Sequence, residues 1–379
     1  MKKLNIWMVI SVRYRVFDQS GKLPFSIVFG ICRRSPDDTD PRPIRLRTRQ
    51  TILDVPYALS NNLLQLRKYS ARTKTDIQVD VGQLNLSNSE ESYLTLPSPV
   101  GRTGNWKRCL SEYHYHVDPQ SELASLLEPG EQYAFQNFTG WELAADAFSY
   151  INEQGEPSAP GDKQKLLNRR VSGHPTFHVV KSLSWPPELQ VWMQKHQDTN
   201  SNPALLDITV TNMGSEAITV QTHGRQRFLT PHGAFQPEEF QRDDDRPRII
   251  DPERPSPNDT IQILDISTNK VVLGAKKLSG YVQYQIQKDL RPRLDLLITL
   301  RPGEPLIRHV NVGSLVSNLP DGEYGLRMEP RGMWWCIGDC KDWDGDRVPH
   351  DLFSTLIPPL ILKCQDSVKV KVENRAILQ

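Results

Sequence analysis

The chain lacks the features that mark several large classes of protein. Its 46 Lys plus Arg residues nearly balance 45 Asp plus Glu, so we expect no nucleic-acid partner, which a basic excess would have indicated. No run approaches the roughly 18 apolar residues of a membrane-spanning helix, so we expect no membrane partner. Five cysteines in 379 residues are too few for a disulfide-built scaffold.

Common catalytic and cofactor signatures are also missing. The sequence contains no HExxH zinc-protease helix, no GxSxG nucleophile elbow, no Walker loop and no GxGxxG turn. These absences favour a non-catalytic protein, and no catalytic residue and no resident cofactor are predicted.

The N-terminal stretch MKKLNIWMVISV begins like a secretory leader, with two lysines before apolar residues. Asn5 interrupts the apolar run, and the run reaches Arg13 without a small-x-small cleavage site. We therefore interpret this stretch as a first β-strand and expect a cytoplasmic protein with reduced cysteines.

The sequence does contain short internal matches. LNIWM at 4–8 reappears as LQVWM at 189–193, and six further matches follow in the same order. They are FSIVF with LDITV, PIRLRT with AITVQT, DIQVDV with TIQILD, LEPGEQ with LRPGEP, Leu143 and Phe148 with Leu319 and Tyr324, and FHVVKS with VKVKVE. Matches in a conserved order predict a tandem duplication.

The predicted units span 1–184 and 185–379. The interval from the third match to the fifth is 85 residues in the first copy and 84 in the second. The SWPP turn at 184–187 is the predicted joint, because proline disfavours continuation of a strand.

Each unit has the pattern of a β protein. VKVKVE alternates strictly, and ITLRPGEPLIRHVNV indicates two strands around a Pro-Gly turn. The segments 121–127 and 161–170 are the best helical candidates, and both are short. The predicted fold is mainly β: two tandem antiparallel β-sandwich domains with few short helices.

A family resemblance rests on L-x-PG-E followed by LPDGEYGL. Leu319, Asp321 and Tyr324 are similar to the tyrosine corner of immunoglobulin-like sandwiches, although the Cys–Trp–Cys pattern of true immunoglobulin domains is absent. Unit one has Phe148 at the matching position and would lack the hydroxyl bond. With its duplicated elements, the chain also resembles uncharacterised tandem sandwich proteins of filamentous fungi. The resemblance implies a fold and no activity.

The segment CKDWDGDRVPHD at 340–351 resembles a calcium loop. Asp342, Asp344, Asp346 and Asp351 supply alternating oxygen ligands, and a glycine takes the sixth place. The first place is a cysteine, a donor that suits calcium poorly. The segment is therefore either a calcium site or an acidic surface turn.

The cysteines offer a second possible metal site. Cys336 and Cys340 could form half of a zinc site, with Cys364 and His350 as further ligands. No second closely spaced pair exists, and buried or half-buried free thiols are the favoured interpretation.

The segment EYHYHVD places His114 and His116 on one face of a strand. Together with Asp118 they could bind a metal ion. The segment matched to it in the second copy, 281–289, has glutamines instead, which favours an ordinary polar strand face.

Three tryptophans crowd into ten residues: Trp334, Trp335 and Trp343. If exposed, they would form a platform for a sugar or a peptide. The buried role is favoured, because exposed apolar patches are unusual in monomers. Trp7 and Trp192 occupy matching places in the two copies, which indicates packing.

The most favoured function is a non-catalytic binding or scaffold protein with a protein partner, contacted through the loop at 235–260 and the Trp-rich segment 332–343. One alternative is a metal-binding protein or metal-dependent enzyme that uses the acidic loop at 339–351. Another is a secreted carbohydrate-binding module that uses the three clustered tryptophans.

Overall fold

The structure is a computed structural model in which the described part of the chain is mainly β. It describes residues 3–33, 40–70, 75–84, 92–99, 110–137, 142–143, 147–152, 154–158, 165–172, 175–197, 204–227, 229, 247–253, 260–273, 289–364 and 366–378. Among these residues, no helix has the length and apolar character needed to cross a bilayer. The chain divides into two compact units, Met1–Leu183 and Ser184–Gln379.

Unit 1 contains fourteen described strands and two short helices. The strands are β1 (Lys3–Val12), β2 (Val16–Asp18), β3 (Phe25–Arg33), β4 (Ile44–Arg47), β5 (Leu64–Ser70), β6 (Thr75–Gln78), β7 (Tyr93–Leu96), β8 (Ser111–Val117), β9 (Gln132–Asn137), β10 (Glu142–Leu143), β11 (Phe148–Ile151), β12 (Pro157–Ser158), β13 (Lys165–Ser172) and β14 (Thr176–Val180). The helices are α1 (Val55–Ser60) and α2 (Glu122–Ser125), capped by the side chains of Asp54 and Ser121.

Unit 2 contains thirteen described strands and one short α-helix. The strands are β15 (Leu189–Lys195), β16 (Leu205–Asn212), β17 (Ile218–Gln221), β18 (Ile261–Asp265), β19 (Lys270–Leu273), β20 (Leu297–Leu300), β21 (Pro305–Asn311), β22 (Gly322–Met328), β23 (Arg331–Met333), β24 (Trp335–Ile337), β25 (Leu360–Leu362), β26 (Ser367–Glu373) and β27 (Ala376–Leu378). The helix α3 is Gly313–Val316, and single 3-10 turns cover Leu294–Leu296 and Cys340–Asp342.

The sheets of the two units share parts of their strand order. Unit 1 has the orders β10–β13–β1–β3–β8, β12–β11–β4–β7 and β2–β14–β9–β5–β6. Unit 2 has β15–β16–β21, β20–β17–β24, β19–β18–β22–β26–β27 and the pair β23–β25. Three runs of neighbouring strands therefore correspond between the units. The run β1–β3–β8 corresponds to β15–β16–β21, and the run β11–β4–β7 corresponds to β24–β17–β20. The run β14–β9–β5–β6 corresponds to β26–β22–β18–β19. Among the described strand pairs, β1 with β13 and β2 with β14 are parallel and the others antiparallel.

The strand order and residue register disagree with several of the sequence matches. DIQVDV begins in β6 and TIQILD lies at β18, but β6 corresponds to β19 in sheet order, so that match is wrong. Trp7 pairs with Cys32, and Trp192 pairs with Thr209. If Trp7 corresponds to Trp192, Cys32 must correspond to Thr209. The match of FSIVF with LDITV instead assigns Val28 to Thr209, so these two matches cannot both hold in register.

The predicted match of LEPGEQ with LRPGEP is wrong, because the two segments lead into strands that occupy different positions in the sheets. The first segment leads into β9, which pairs with β5 and β14, whereas the second leads into β21, which pairs with β16. In sheet order the counterpart of β9 is β22. The two strands share a short helix before them, α2 in one unit and α3 in the other.

Both strands carry a tyrosine that bonds to nearby backbone. The Tyr324 hydroxyl donates to the carbonyl of Pro320 (2.9 Å), which confirms the predicted bond. In unit 1 the Tyr133 hydroxyl accepts from the backbone N–H of Glu128 (3.0 Å). The expectation that Phe148 takes this position is wrong, because Phe148 lies in β11 and pairs with β4.

Predictions from local sequence patterns are confirmed where no distant strand intervenes and are wrong where one does. The alternation of VKVKVE is confirmed by β26, and 121–127 contains α2. The helix predicted over 161–170 is wrong: the described part belongs to β13, which pairs in parallel with β1. A strand pairing supplied by the far end of the unit outweighs local helix propensity there. The predicted surface loops at 33–43 and 235–260 lie mostly outside the described residues. Within the second, residues 248–251 are buried, so the prediction of a surface loop is wrong for that part.

Each unit has its own buried core. In unit 1, the rings of Phe25, Tyr133 and Phe135 all lie within 6.0 Å of Phe177, measured between centroids. In unit 2, one hydrophobic cluster draws side chains from all four described sheets. Its members include Ile208 of β16, Val220 of β17, Ile263 of β18, Leu326 of β22 and Val370 of β26. In β16 and β26 burial alternates strictly, so every second residue of these two strands faces outward.

Candidate metal centre

The acidic loop, for which the sequence left open a calcium site or a surface turn, is an exposed turn in unit 2. Asp342 ends a 3-10 turn, while Asp344, Asp346 and Asp351 are exposed. The whole segment 339–351 is described. Within it, none of the four carboxylates joins a group of three possible ligand atoms lying within 4.8 Å of one another.

A different carboxylate, Asp339, holds this loop against β20. Its Oδ2 lies 2.6 Å from Arg301 Nη2, and its Oδ1 accepts from the Thr299 hydroxyl (2.9 Å) and from the backbone N–H of Lys341 (3.0 Å). The Lys341 bond, with the Thr299 and Arg301 contacts, holds the pKa of Asp339 below its usual range. Asp339 therefore has a structural role as an ionised cap of the turn.

The clustered tryptophans are mostly interior. Trp334 is fully buried, and its ring N–H donates to the carbonyl of Ser354 (2.9 Å). Trp335 is also buried and donates to the carbonyl of Pro358 (2.9 Å). Trp343 is half-buried and packs against the small buried cluster that contains Trp334. This is the buried arrangement that the sequence favoured, and Trp334 and Trp335 offer no ring face to a ligand at the surface.

The described cysteines near this loop are free thiols. Cys336 and Cys364 are buried and Cys340 is half-buried. Burial raises the pKa of Cys336 to about 12, with a smaller contribution from nearby Cys340. These cysteines and the exposed His350 form no group of three possible ligand atoms among the described residues.

Three side chains that the sequence analysis did not select do meet, on sheet β15–β16–β21. Strand β16 buries Leu206 and Ile208, so Asp207 between them faces outward. His309 of β21 is the direct cross-strand partner of Asp207. His196 follows the last residue of β15, and its backbone N–H extends the ladder by donating to the carbonyl of Leu205 (3.0 Å).

The two imidazoles converge on one carboxylate oxygen. His196 Nδ1 lies 2.8 Å from Asp207 Oδ1, and His309 Nδ1 lies 2.7 Å from the same atom. The rings stand edge to face with centroids 5.1 Å apart. The side chains of His196, Asp207 and His309 are 24%, 13% and 57% exposed, so the carboxylate is shielded while one imidazole is open to solvent.

This geometry fits a transition-metal ion after a small movement. Two imidazoles and a carboxylate are a donor set for zinc, copper, nickel or iron. A tetrahedral zinc ion with bonds of about 2.0–2.1 Å separates neighbouring ligand atoms by roughly 3.3 Å. The two nitrogen–oxygen distances are 2.8 and 2.7 Å, so each must widen by about 0.5 Å. Each imidazole would bind the ion through an Nδ1 atom that carries no proton.

An apolar row borders this cluster on the same sheet face. Trp192 and Ile307 both pair with Thr209, one from each side. Trp192 is 50% exposed and Ile307 is 54% exposed. The expectation that Trp192 packs in a core is therefore wrong. The face therefore combines a polar cluster with two exposed apolar side chains.

His309 escapes a sequence prediction because its strand is not where the sequence matches place it. By sequence, the strand with His114 and His116 matches 281–289, of which 281–288 lie outside the described residues. Those two histidines do share the outward face of β8, which pairs with β3. The strand in the corresponding place of unit 2 is β21, and it carries a histidine. If β21 is assigned as the neighbour of β16, the sequence predicts that His309 and Asp207 lie close together.

Comparisons with known proteins give no relative for this chain by sequence. No known protein family matches it, and no curated protein is similar to it. Among solved structures, the partial N-terminal region of an enterococcal surface protein aligns with 87% of this chain over 91% of its own length. The identity is 8% and the TM-score is 0.16, a likeness that says nothing about fold or function.

Proposed function

We propose that the protein is a non-catalytic binding protein whose second unit holds a divalent transition-metal ion through His196, Asp207 and His309. The observation that carries the proposal is the convergence of two imidazole nitrogens on one carboxylate oxygen. All three residues are on or beside paired strands, whose backbone hydrogen bonds fix their spacing.

The donor set leaves coordination positions free. Three protein ligands with an open position are typical of sites at which an ion accepts a further ligand. The site lies on an outward sheet face where His309 is 57% exposed, which favours binding over chemistry that needs a water-excluded cavity. We propose zinc as the resident ion, because a d¹⁰ ion accepts this geometry without a redox change.

The partner in this proposal is a protein that supplies one further ligand atom to the ion. Trp192 and Ile307 lie in the neighbouring row of the same face and would contact apolar side chains of that partner. The metal would then contribute specificity and the apolar row contact area. Metal dependence of partner binding is the property that separates this function from a simple scaffold.

The architecture belongs to the same proposal: two immunoglobulin-like β-sandwich modules that arose by duplication. Its support is the shared order of three sheets and the backbone-bonded tyrosines Tyr133 and Tyr324. A cytoplasmic location is also proposed, supported by free thiols at the described cysteines. Fluorescence microscopy of a tagged chain tests the location.

Metal analysis and titration test the metal site. Protein purified without chelator, then stripped and titrated with zinc in a calorimeter, should bind one equivalent. His309→Ala and Asp207→Asn should each weaken binding by about tenfold or more, because the first removes a ligand nitrogen and the second replaces a charged carboxylate with a neutral, weaker amide ligand. The matched control is His114→Ala, an outward strand histidine of unit 1, which should leave the affinity unchanged.

Two further arms define the outcome. Lowering the pH should weaken zinc binding, because protons compete for the imidazole nitrogens. Anaerobic titration with ferrous iron tests the alternative ion for a two-histidine, one-carboxylate donor set. Equal binding by wild type and both ligand variants, or no binding of zinc, copper, nickel, cobalt or iron, would overturn the proposal.

A further inference from the structure

Unit 1 has a hollow on the outward face of sheet β14–β9–β5–β6. The cavity measures about 420 Å³, within the roughly 300–1,000 Å³ range of small-molecule sites. It lies among strand residues of unit 1, so it is independent of the metal cluster in unit 2.

The hollow exists because one small residue stands among long ones. Ala134 of β9 has Arg67 of β5 as its cross-strand partner on one side and Thr176 of β14 on the other. In the next row of the same face, Tyr69 pairs with Gln132. Side chains of neighbouring strands stand close together, so the methyl group of Ala134 forms the floor and its neighbours form the walls.

The charged groups of the hollow neutralise each other. Arg67 Nε lies 2.8 Å from Asp76 Oδ1, and another guanidinium nitrogen lies 3.4 Å from Gln136 Oε1. Arg67 is therefore already engaged with a carboxylate, so the lining carries no net charge to attract a phosphate or an ammonium group.

The remaining lining groups are neutral and mixed in character. Gln132 and Gln136 each carry an amide with both hydrogen-bond donors and an acceptor. Tyr69 is 40% exposed and offers an aromatic ring at the rim. Neighbouring donors and acceptors beside an aromatic ring suit a ligand with several hydroxyl groups on one edge and an apolar C–H face.

We propose that this hollow binds a neutral carbohydrate, with the sugar ring against Tyr69 and its hydroxyl groups on Gln132, Gln136 and the Arg67–Asp76 pair. Ala134 determines access, because any longer side chain at this outward position fills the floor. This use of a sheet face differs from the buried tryptophan cluster, and it requires neither the metal ion nor the protein partner proposed above.

Calorimetric titration of the full chain with neutral trisaccharides tests the assignment. The probes are maltotriose, cellotriose, mannotriose and N,N′,N″-triacetylchitotriose, with trigalacturonate as the anionic comparison. At least one neutral probe should bind with a Kd in the millimolar range or below, and trigalacturonate should bind more weakly.

Variants of the floor and the rim locate the binding. Ala134→Leu and Tyr69→Ala should each reduce affinity by about tenfold, the first by filling the cavity and the second by removing the ring. Tyr93→Ala is the matched control, a tyrosine with similar exposure in a different sheet, and should leave affinity unchanged. Thermal unfolding of each variant checks that unit 1 is folded.

Two results would overturn the proposal. One is the absence of heat from every neutral probe up to about 10 mM, a concentration that reveals even weak sugar sites. The other is binding that survives Ala134→Leu in folded protein. Because all three substitutions lie in unit 1, neither result bears on zinc binding by His196, Asp207 and His309.

Discussion

Single hydroxyl groups close the turn before β9 in unit 1 and before β22 in unit 2. Tyr133 accepts from the backbone N–H of Glu128, and Tyr324 donates to the carbonyl of Pro320. Burial raises the pKa of Tyr133, so that hydroxyl keeps its proton over the physiological range. Each bond satisfies a backbone group that a turn would otherwise leave without an internal partner.

Removing either hydroxyl should weaken the unit that contains it. Tyr324→Phe and Tyr133→Phe are each expected to lower the free energy of unfolding by about 1 kcal/mol, because one hydrogen bond is lost and the ring is kept. Urea unfolding measures the change, with Tyr93→Phe as the exposed control. Variants as stable as wild type would mean that the two bonds contribute nothing net.

The buried thiol of Cys336 should make stability depend on alkaline pH. Burial raises its pKa from 9.0 to about 12, so the folded protein keeps a proton that the unfolded chain loses. The stabilising contribution is complete below about pH 9 and is lost as the pH rises toward 12. The slope from this thiol is at most about 1.4 kcal/mol per pH unit.

Urea unfolding of wild type and Cys336→Ala at about pH 8 and 9.5 measures this slope. Wild type should lose more stability than the variant over that interval. Burial also raises the pKa of Tyr115 to about 12, but its ordinary value is 10.0, so its loss begins at higher pH. Equal slopes for the two proteins would contradict the assignment to Cys336.

At the scale of whole elements, β1 is an interior strand with buried side chains in unit 1. It lies between β13 and β3 in a five-stranded sheet and buries Ile6, Met8 and Ile10. The strand itself follows from its sequence, since LNIWMVISV is rich in β-branched and aromatic residues. Its parallel partner β13 cannot be predicted from its own sequence, because LLNRR suits a helix equally well. Only pairing with the distant strand β1 makes it a strand.

Deleting residues 1–12 should give insoluble or protease-sensitive protein. The deletion removes buried side chains and leaves β3 and β13 with unpaired edges. Deleting 376–379 is the control, because it removes β27 from the end of its sheet and leaves every other pairing in place. Limited proteolysis and soluble yield measure the difference; a soluble, resistant N-terminal deletion would contradict the role of β1.

At the scale of the whole chain, each described sheet draws all its strands from one unit. The sequence indicated two units, and the predicted joint at 184–187 begins where unit 2 begins. The metal cluster, in contrast, could not be predicted from local sequence patterns. Asp207 and His309 are 102 positions apart, and no local pattern records that their strands are neighbours.

The separate units should fold when expressed alone. Fragments 1–183 and 184–379 each contain complete sheets and their own buried core, so each should show a cooperative thermal transition. Zinc should raise the transition of fragment 184–379 and leave that of fragment 1–183 unchanged. Differential scanning calorimetry measures both, and a fragment without a transition would show that its unit needs the rest of the chain.

The strict alternation of β16 has a consequence for how this protein can evolve. Leu206, Ile208 and Val210 face the core, while Asp207 and Thr209 face outward. Inserting or deleting one residue within β16 would bury the carboxylate and expose the isoleucine, so it would destroy the core and the metal cluster together. Insertions and deletions within β16 are therefore not tolerated. New ligand preferences at its surface can arise only through substitutions.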